Sequence, residues 1–117
     1  MGAPVVHFEI IGKDVKKLSS FYGKLFDWDI QHVQEMDYGM IQAQGKGIGG
    51  GIGPDPEGGN GHITFYMEVD DPQAYLDKAE SLGGKTIMPV TVIPDMVTFA
   101  LLADPEGHVV GVVKSDD

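Results

Sequence analysis

The side chains with the most chemistry to offer lie in two short runs. In the first, His7 and Glu9 stand two residues apart within Val5–Ile11, a β-branched and aromatic stretch of strand length. A side-chain period of two puts the imidazole and the carboxylate on one face, and Phe8 and Ile10 on the other. In the second run His62, Thr64 and Tyr66 share a face in the same way. An imidazole titrates near neutrality and serves as acid, base or metal ligand. His7 is therefore the best catalytic candidate, although no second acid or nucleophile stands at a fixed spacing from it. His7, Glu9 and His62 could build a metal site, but His62 lies about 6–7 Å along its strand from Thr64. Tyr66 reads first as a half-buried aromatic with its hydroxyl in water. His32 and His108 fall near a strand and a turn, and no role is assigned to them.

These runs need elements to hold them, and the chain supplies the same set twice. After Val5–Ile11, Asp14 is suited to cap a helix by accepting from its first free N–H groups. Val15, Leu18, Phe21 or Tyr22, and Leu25 then recur at three-to-four spacing, with Lys16, Lys17 and Lys24 outward. A shift of 57 residues lays Thr64–Ile87 over His7–Ile30, matching Phe8 with Phe65, Asp14 with Asp71, Leu25 with Leu82 and Ile30 with Ile87. Both copies read strand, Asp cap, helix, strand. Phe8, Ile10, Phe65 and Met67 are expected to meet Phe21, Leu25, Ala79 and Leu82 in the core.

Between the copies, Trp28–Glu35 and Tyr38–Gln44 read as a hairpin around Met36-Asp37, with Met40, Gln42 and Gln44 on one face. Gly45-x-Gly47-x-x-Gly50 has dinucleotide-loop spacing, but the chain runs on into Pro54-Asp55-Pro56, with no helix to receive a pyrophosphate. A glycine-rich strand is the better reading, its missing side chains leaving room for a ligand or a neighbouring backbone. Gly53–Gly61 reads as an exposed connection. Pro72 opens the second helix, Gly83-Gly84 closes it, Lys85–Ile93 follows as a strand, and Val97–Ala103 and Val109–Lys114 pair through Asp104-Pro105-Glu106-Gly107. The pattern is βαβββ twice, an α+β fold with modules at 1–53 and 62–117, a linker at 54–61, and one compact domain in all.

Composition narrows the function classes. With 117 residues, a net charge of −10 and only eight basic side chains, the chain lacks the footprint for a phosphate backbone, so nucleic acid is not an expected partner. The same charge suits a solvated acidic surface or, as a minor reading, attraction of a cationic small molecule. No apolar run approaches a membrane span, the start does not resemble a secretory signal, and the absence of cysteine removes disulfides and thiolate metal sites. A soluble cytoplasmic protein is the expectation.

Two βαβββ modules in a short chain resemble the vicinal-oxygen-chelate superfamily of glyoxalases, bleomycin-resistance proteins and extradiol dioxygenases. The likeness is carried by His7 before Asp14, Phe21-Tyr22, Leu25-Phe26-x-Trp28, Val69-Asp70-Asp71, Ala79-x-x-Leu82-Gly83-Gly84 and Asp104-Pro105-Glu106-Gly107. VVHFEI, FYGKLFDW and the GGGI strand are similar to its small glyoxalase-related branch. The resemblance implies a half-open barrel with helices outside, a ligand groove within, and a homodimer. It also implies metal-ligand places on the first and fourth strands of each module, which fall here on His7, on Gly50 or a neighbour, on Thr64 and on Gly111. Only His7 among these binds a divalent ion well, and a catalytic site needs about three donors. The expectation is a groove that binds a small organic molecule without a metal cofactor, lined by His7, Glu9, Met40, Gln42, Gly50, Thr64, Tyr66 and Gly111, with Trp28, Tyr38 and Phe99 as further aromatics. The alternatives are an antibiotic-sequestering protein and a metal-dependent lyase or isomerase with a shifted ligand set.

Overall fold

The computed structural model describes residues 2–115, and the elements follow the expected order twice. The first set is β1 (Val5–Gly12), α1 (Val15–Phe26), β2 (Ile30–Val33), β3 (Tyr38–Ile41) and β4 (Gly49–Pro54). The second is β5 (His62–Val69), α2 (Pro72–Ser81), β6 (Lys85–Ile93), β7 (Val97–Ala103) and β8 (Val109–Lys114). This is a mixed α+β chain of two βαβββ modules.

The chain divides into two compact units, residues 7–64 and residues 1–6 with 65–117. The boundary differs from the expected linker at 54–61, because that segment is tied to β1. The Asp55 N–H donates to the Gly12 carbonyl at 2.9 Å, and Gly61, at φ +76°, lies so close to the Ile11 carbonyl that a Cβ would collide with it.

In the unit of residues 7–64 the strands run β2-β3-β4-β1, with β1 parallel to β4 and the others antiparallel. Asp14 caps α1 as expected, its Oδ1 accepting from the Lys17 N–H at 3.0 Å. Ile10, Val15, Ile41 and Ile52 form the core, with Phe8, Leu18, Tyr22, Trp28 and Ile30 packed on it. Tyr22 takes the inward place and stacks on Trp28 at 5.6 Å, while Phe21 and Leu25 are each 58% exposed. The inward stripe of α1 is therefore Val15–Leu18–Tyr22, which decides between Phe21 and Tyr22 in favour of Tyr22 and leaves Leu25 outside. The hairpin strands are shorter than expected, because a 3₁₀ turn at Gln34–Met36 precedes Asp37, which sits in the left-handed region at φ 47°.

In the other unit the order is β5-β8-β7-β6, with β5 parallel to β8. Val69, Leu76, Ala100 and Val112 form its core, joined by Met67, Val90 and Leu102. Phe65 and Leu82 were expected in the core but are exposed: Leu82 lies beyond the last turn of α2, and Leu76 fills the space beneath the helix. The turn into β8 is built by Asp104, whose Oδ1 accepts from the N–H groups of Glu106 and His108, with Gly107 at φ +94°. No helix among the described residues is long and apolar enough to cross a membrane.

Candidate functional site

On the unit of residues 7–64, the face turned away from α1 carries a chain of polar contacts. Strand register places His7 beside Gly49 and Glu9 beside Gly51, with Met40 against Gly51 from the other side. Tyr38, two residues before Met40 on β3, is on this face too. Its ring lies over β4, where a Cβ at Gly51 would collide with the phenol and one at Gly53 would come within 2.9 Å of the ring. The glycines of β4 thus make room for a side chain of the protein itself. The Tyr38 hydroxyl donates to Glu9 Oε2 at 2.7 Å and lies 3.2 Å from His7 Nε2.

A phenol has a single proton, and here it goes to the carboxylate. The short contact to His7 is then satisfied by the imidazole donating from Nε2, which leaves Nδ1 as the acceptor nitrogen. Burial pushes the His7 pKa below its ordinary value of 6.5, opposed in part by the Glu9 charge. The neutral ring is the form present at pH 7. Glu9, Tyr38 and His7 together offer a ligand a negative charge, a polarised hydroxyl and a neutral imidazole within one hydrogen-bonded row.

The remaining candidates divide between the units. Met40 lies on the face just described, half-buried, and Gln42 is exposed just past the end of β3, where its backbone N–H donates to Asp29. Gly50 does not belong to this face: a Cβ there would sit 2.6 Å from the Phe8 ring, on the core side. Gly51 is the residue that fits the expected place, since alternation along β4 moves every side-chain position by one. Thr64, only 3% exposed, is a buried polar residue on β5. His62 is exposed, and no group of three His, Cys, Asp or Glu side chains gathers as a metal would require among the described residues. Trp28 is packed among Phe8, Tyr22 and Phe26, on the helix side of the sheet.

The other unit repeats the register with different chemistry. Tyr66 pairs with Gly111, as Glu9 pairs with Gly51, and a Cβ at Gly111 would collide with the Tyr66 ring. Leu101 flanks Gly111 as Met40 flanks Gly51, and Phe99, two residues before it, meets Tyr66 edge to face at 6.3 Å. Tyr66 is 7% exposed, more buried than its sequence suggested. Where one unit has a carboxylate and a phenol, the other has two aromatic rings.

The places that the resemblance marks for metal ligands carry an imidazole, a hydroxyl and glycines, and a tyrosine ring occupies the space beside Gly51 in one unit and beside Gly111 in the other. Among these places the His7 imidazole alone is a strong donor to a divalent ion. Sequence reasoning missed Tyr38 as the partner of both His7 and Glu9. Extending the alternation of Met40 and Gln42 back by two residues would have found it.

A family model described as a glyoxalase-like domain matches residues 7–113. The putative glyoxylase CFP32 of Mycobacterium tuberculosis and that of Mycobacterium bovis are each 35% identical over 78 residues, 67% of this chain. The matched stretch spans 30% of those relatives' length. Among solved structures, the hypothetical protein BH1468 from Bacillus halodurans aligns with a TM-score of 0.70 at 12% identity, covering 100% of this chain and 97% of that one. A glyoxalase/bleomycin resistance protein/dioxygenase superfamily member from Vibrio splendidus gives 0.65 at 13%, covering 97% and 100%. Methylmalonyl-CoA epimerase from Mycobacterium tuberculosis gives 0.70 at 12%, covering 97% and 88%. At these identities the structural matches show a shared fold.

Proposed function

The chain belongs to the glyoxalase-like domain family, and from that footing we propose that it binds a small organic molecule over the His7–Tyr38–Glu9 row without a metal cofactor. The observation that carries this reading is the hydroxyl of Tyr38, held at 2.7 Å from Glu9 and 3.2 Å from His7 above a floor of glycine. A side chain lying flat over β4 leaves its polar edge bracketed by an acceptor and a donor, a small set of fixed polar groups of the kind that orients a bound molecule. The Glu9 carboxylate, with a net charge of −10 behind it, favours ligands that bear a cation or several hydrogen-bond donors. Drug-like amines of the sort a sequestering protein would hold are therefore the first compounds to screen.

A second reading is favoured by the neutrality of His7. A neutral imidazole backed by a phenol and a carboxylate can take a proton from a carbon acid, which is isomerase or lyase chemistry without a Lewis acid. The proton would be accepted at His7 Nδ1, while Nε2–H, Tyr38 and Glu9 hold the ring in that tautomer and offset the new positive charge.

Three measurements test these readings. Thermal shift with a library of cationic and polyhydroxylated molecules should give stabilising hits that are lost in Tyr38→Phe, and the same hits surviving in Tyr38→Phe and His7→Gln alike would sink the assignment of the site. Incubation with Ni²⁺, Zn²⁺, Mn²⁺ or Fe²⁺ should leave no stoichiometric metal after desalting. Bound metal that raises the melting temperature and is lost in His7→Ala would overturn the metal-free reading. For turnover, deuterium from solvent should enter the carbon skeleton of a bound hit in the native protein and not in His7→Gln.

A further inference from the structure

The helix α1 has an outer side with chemistry that the His7 face does not use. A hollow of about 370 Å³ opens between α1 and β2. Lys16, Ser20 and Lys24 line it from one helical face, four residues apart in turn, so the lysines stand about 12 Å apart along the axis with the Ser20 hydroxyl midway. His32, tied to Asp37 at 2.9 Å, and Trp28 close it from the β2 side.

The charges along this hollow suit an anionic ligand. In a chain of net charge −10, α1 carries three lysines and no carboxylate. Among the described residues neither Lys16 nor Lys24 forms an ion pair with a carboxylate. Ser19 also lines the hollow, with its Oγ turned under the helix toward Gly39 of β3. Trp28 adds a flat apolar wall, already stacked against Tyr22 at 5.6 Å and 9°.

We propose that this hollow is a second binding site, for a small phosphate monoester with a flat apolar body. The phosphate lies between the two ammonium groups and accepts from the Ser20 hydroxyl, and the body rests against Trp28. Two lysines match a dianion better than a monoanion. The site is separate from the His7 row, which lies on the opposite face of the sheet.

Trp28 is the single tryptophan of the chain, so its emission reports this site directly. Phenyl phosphate is the probe, titrated against sodium chloride at matched ionic strength. A saturable change is expected, displaced by inorganic phosphate, with benzoate binding more weakly. Lys16→Gln with Lys24→Gln should raise Kd at least about tenfold, whereas Lys85→Gln, on β6, should leave it within about twofold. Ser20→Asp, which puts a carboxylate into the hollow from an exposed position, should abolish binding and serves in place of the double lysine variant if that variant does not fold. No saturable change beyond the chloride control, no displacement by phosphate, or equal binding by the charge variants would each overturn the proposal.

Discussion

Tyr38 on β3 reaches over β4 to donate its hydroxyl proton to Glu9 on β1, at 2.7 Å. The reach is possible because Gly51, in the strand between, has no side chain. One hydrogen bond thus depends on three strands, and it sets the tautomer of His7.

Adding a methyl group at this crossing is expected to be costly. Gly51→Ala drives a Cβ into the Tyr38 ring and forces the ring off Glu9, with a loss of about 1–3 kcal/mol, the usual range for overpacking. Urea unfolding measures it. In the Tyr38→Ala background the same substitution should cost much less, because the colliding ring is gone; additivity of the two changes would show that Gly51 matters for another reason.

Removing only the hydroxyl separates the polar contribution from the packing one. Tyr38→Phe keeps the ring over β4 but takes a charge-assisted hydrogen bond from Glu9, with an expected loss of about 1.5–3 kcal/mol. Chemical denaturation at neutral pH reads this directly, and an unchanged stability would mean that the carboxylate has no need of the phenol.

Acid should weaken the fold through His7. The unfolded chain takes up the imidazole proton near the ordinary value of 6.5, whereas the buried ring resists it to lower pH. Between those values the unfolded state binds more protons, so stability falls as pH drops through the window and the loss levels off below the folded pKa. Comparing urea midpoints at about pH 7.5 and about pH 5.5 should show a drop that is smaller in His7→Gln. An equal drop in both would place the acid sensitivity elsewhere.

The inward face of α1, which leaves Leu25 outside, has a simple check. Ile52 is fully buried against β1 and α1, so Ile52→Ala should cost about 2–5 kcal/mol, whereas Leu25→Ala, at an exposed position, should stay within about 0.5 kcal/mol. Thermal melts of the two variants side by side distinguish this arrangement from one with Leu25 inward.

Local rules made much of this protein legible from its residues. The Asp14 and Asp71 caps, the β1 alternation that separates His7 and Glu9 from Phe8 and Ile10, the Asp104–Gly107 turn and the doubled βαβββ order depend on neighbours in sequence, and they read correctly there. The placement of Glu9 and Gly51 at one register, and of Tyr66 and Gly111 at the corresponding one, depends instead on how strands pair, which no spacing encodes. A one-residue difference in register moves a side chain to the other face, and that is why Gly50 was expected where Gly51 stands. The choice of Tyr22 over Phe21, and the exposure of Leu25, were likewise decided by packing against Trp28 and the sheet. The residue types set what chemistry was available, but the union of Glu9, Tyr38 and His7 was made by three strands lying side by side, because only tertiary contact brings a phenol 29 residues away to a carboxylate.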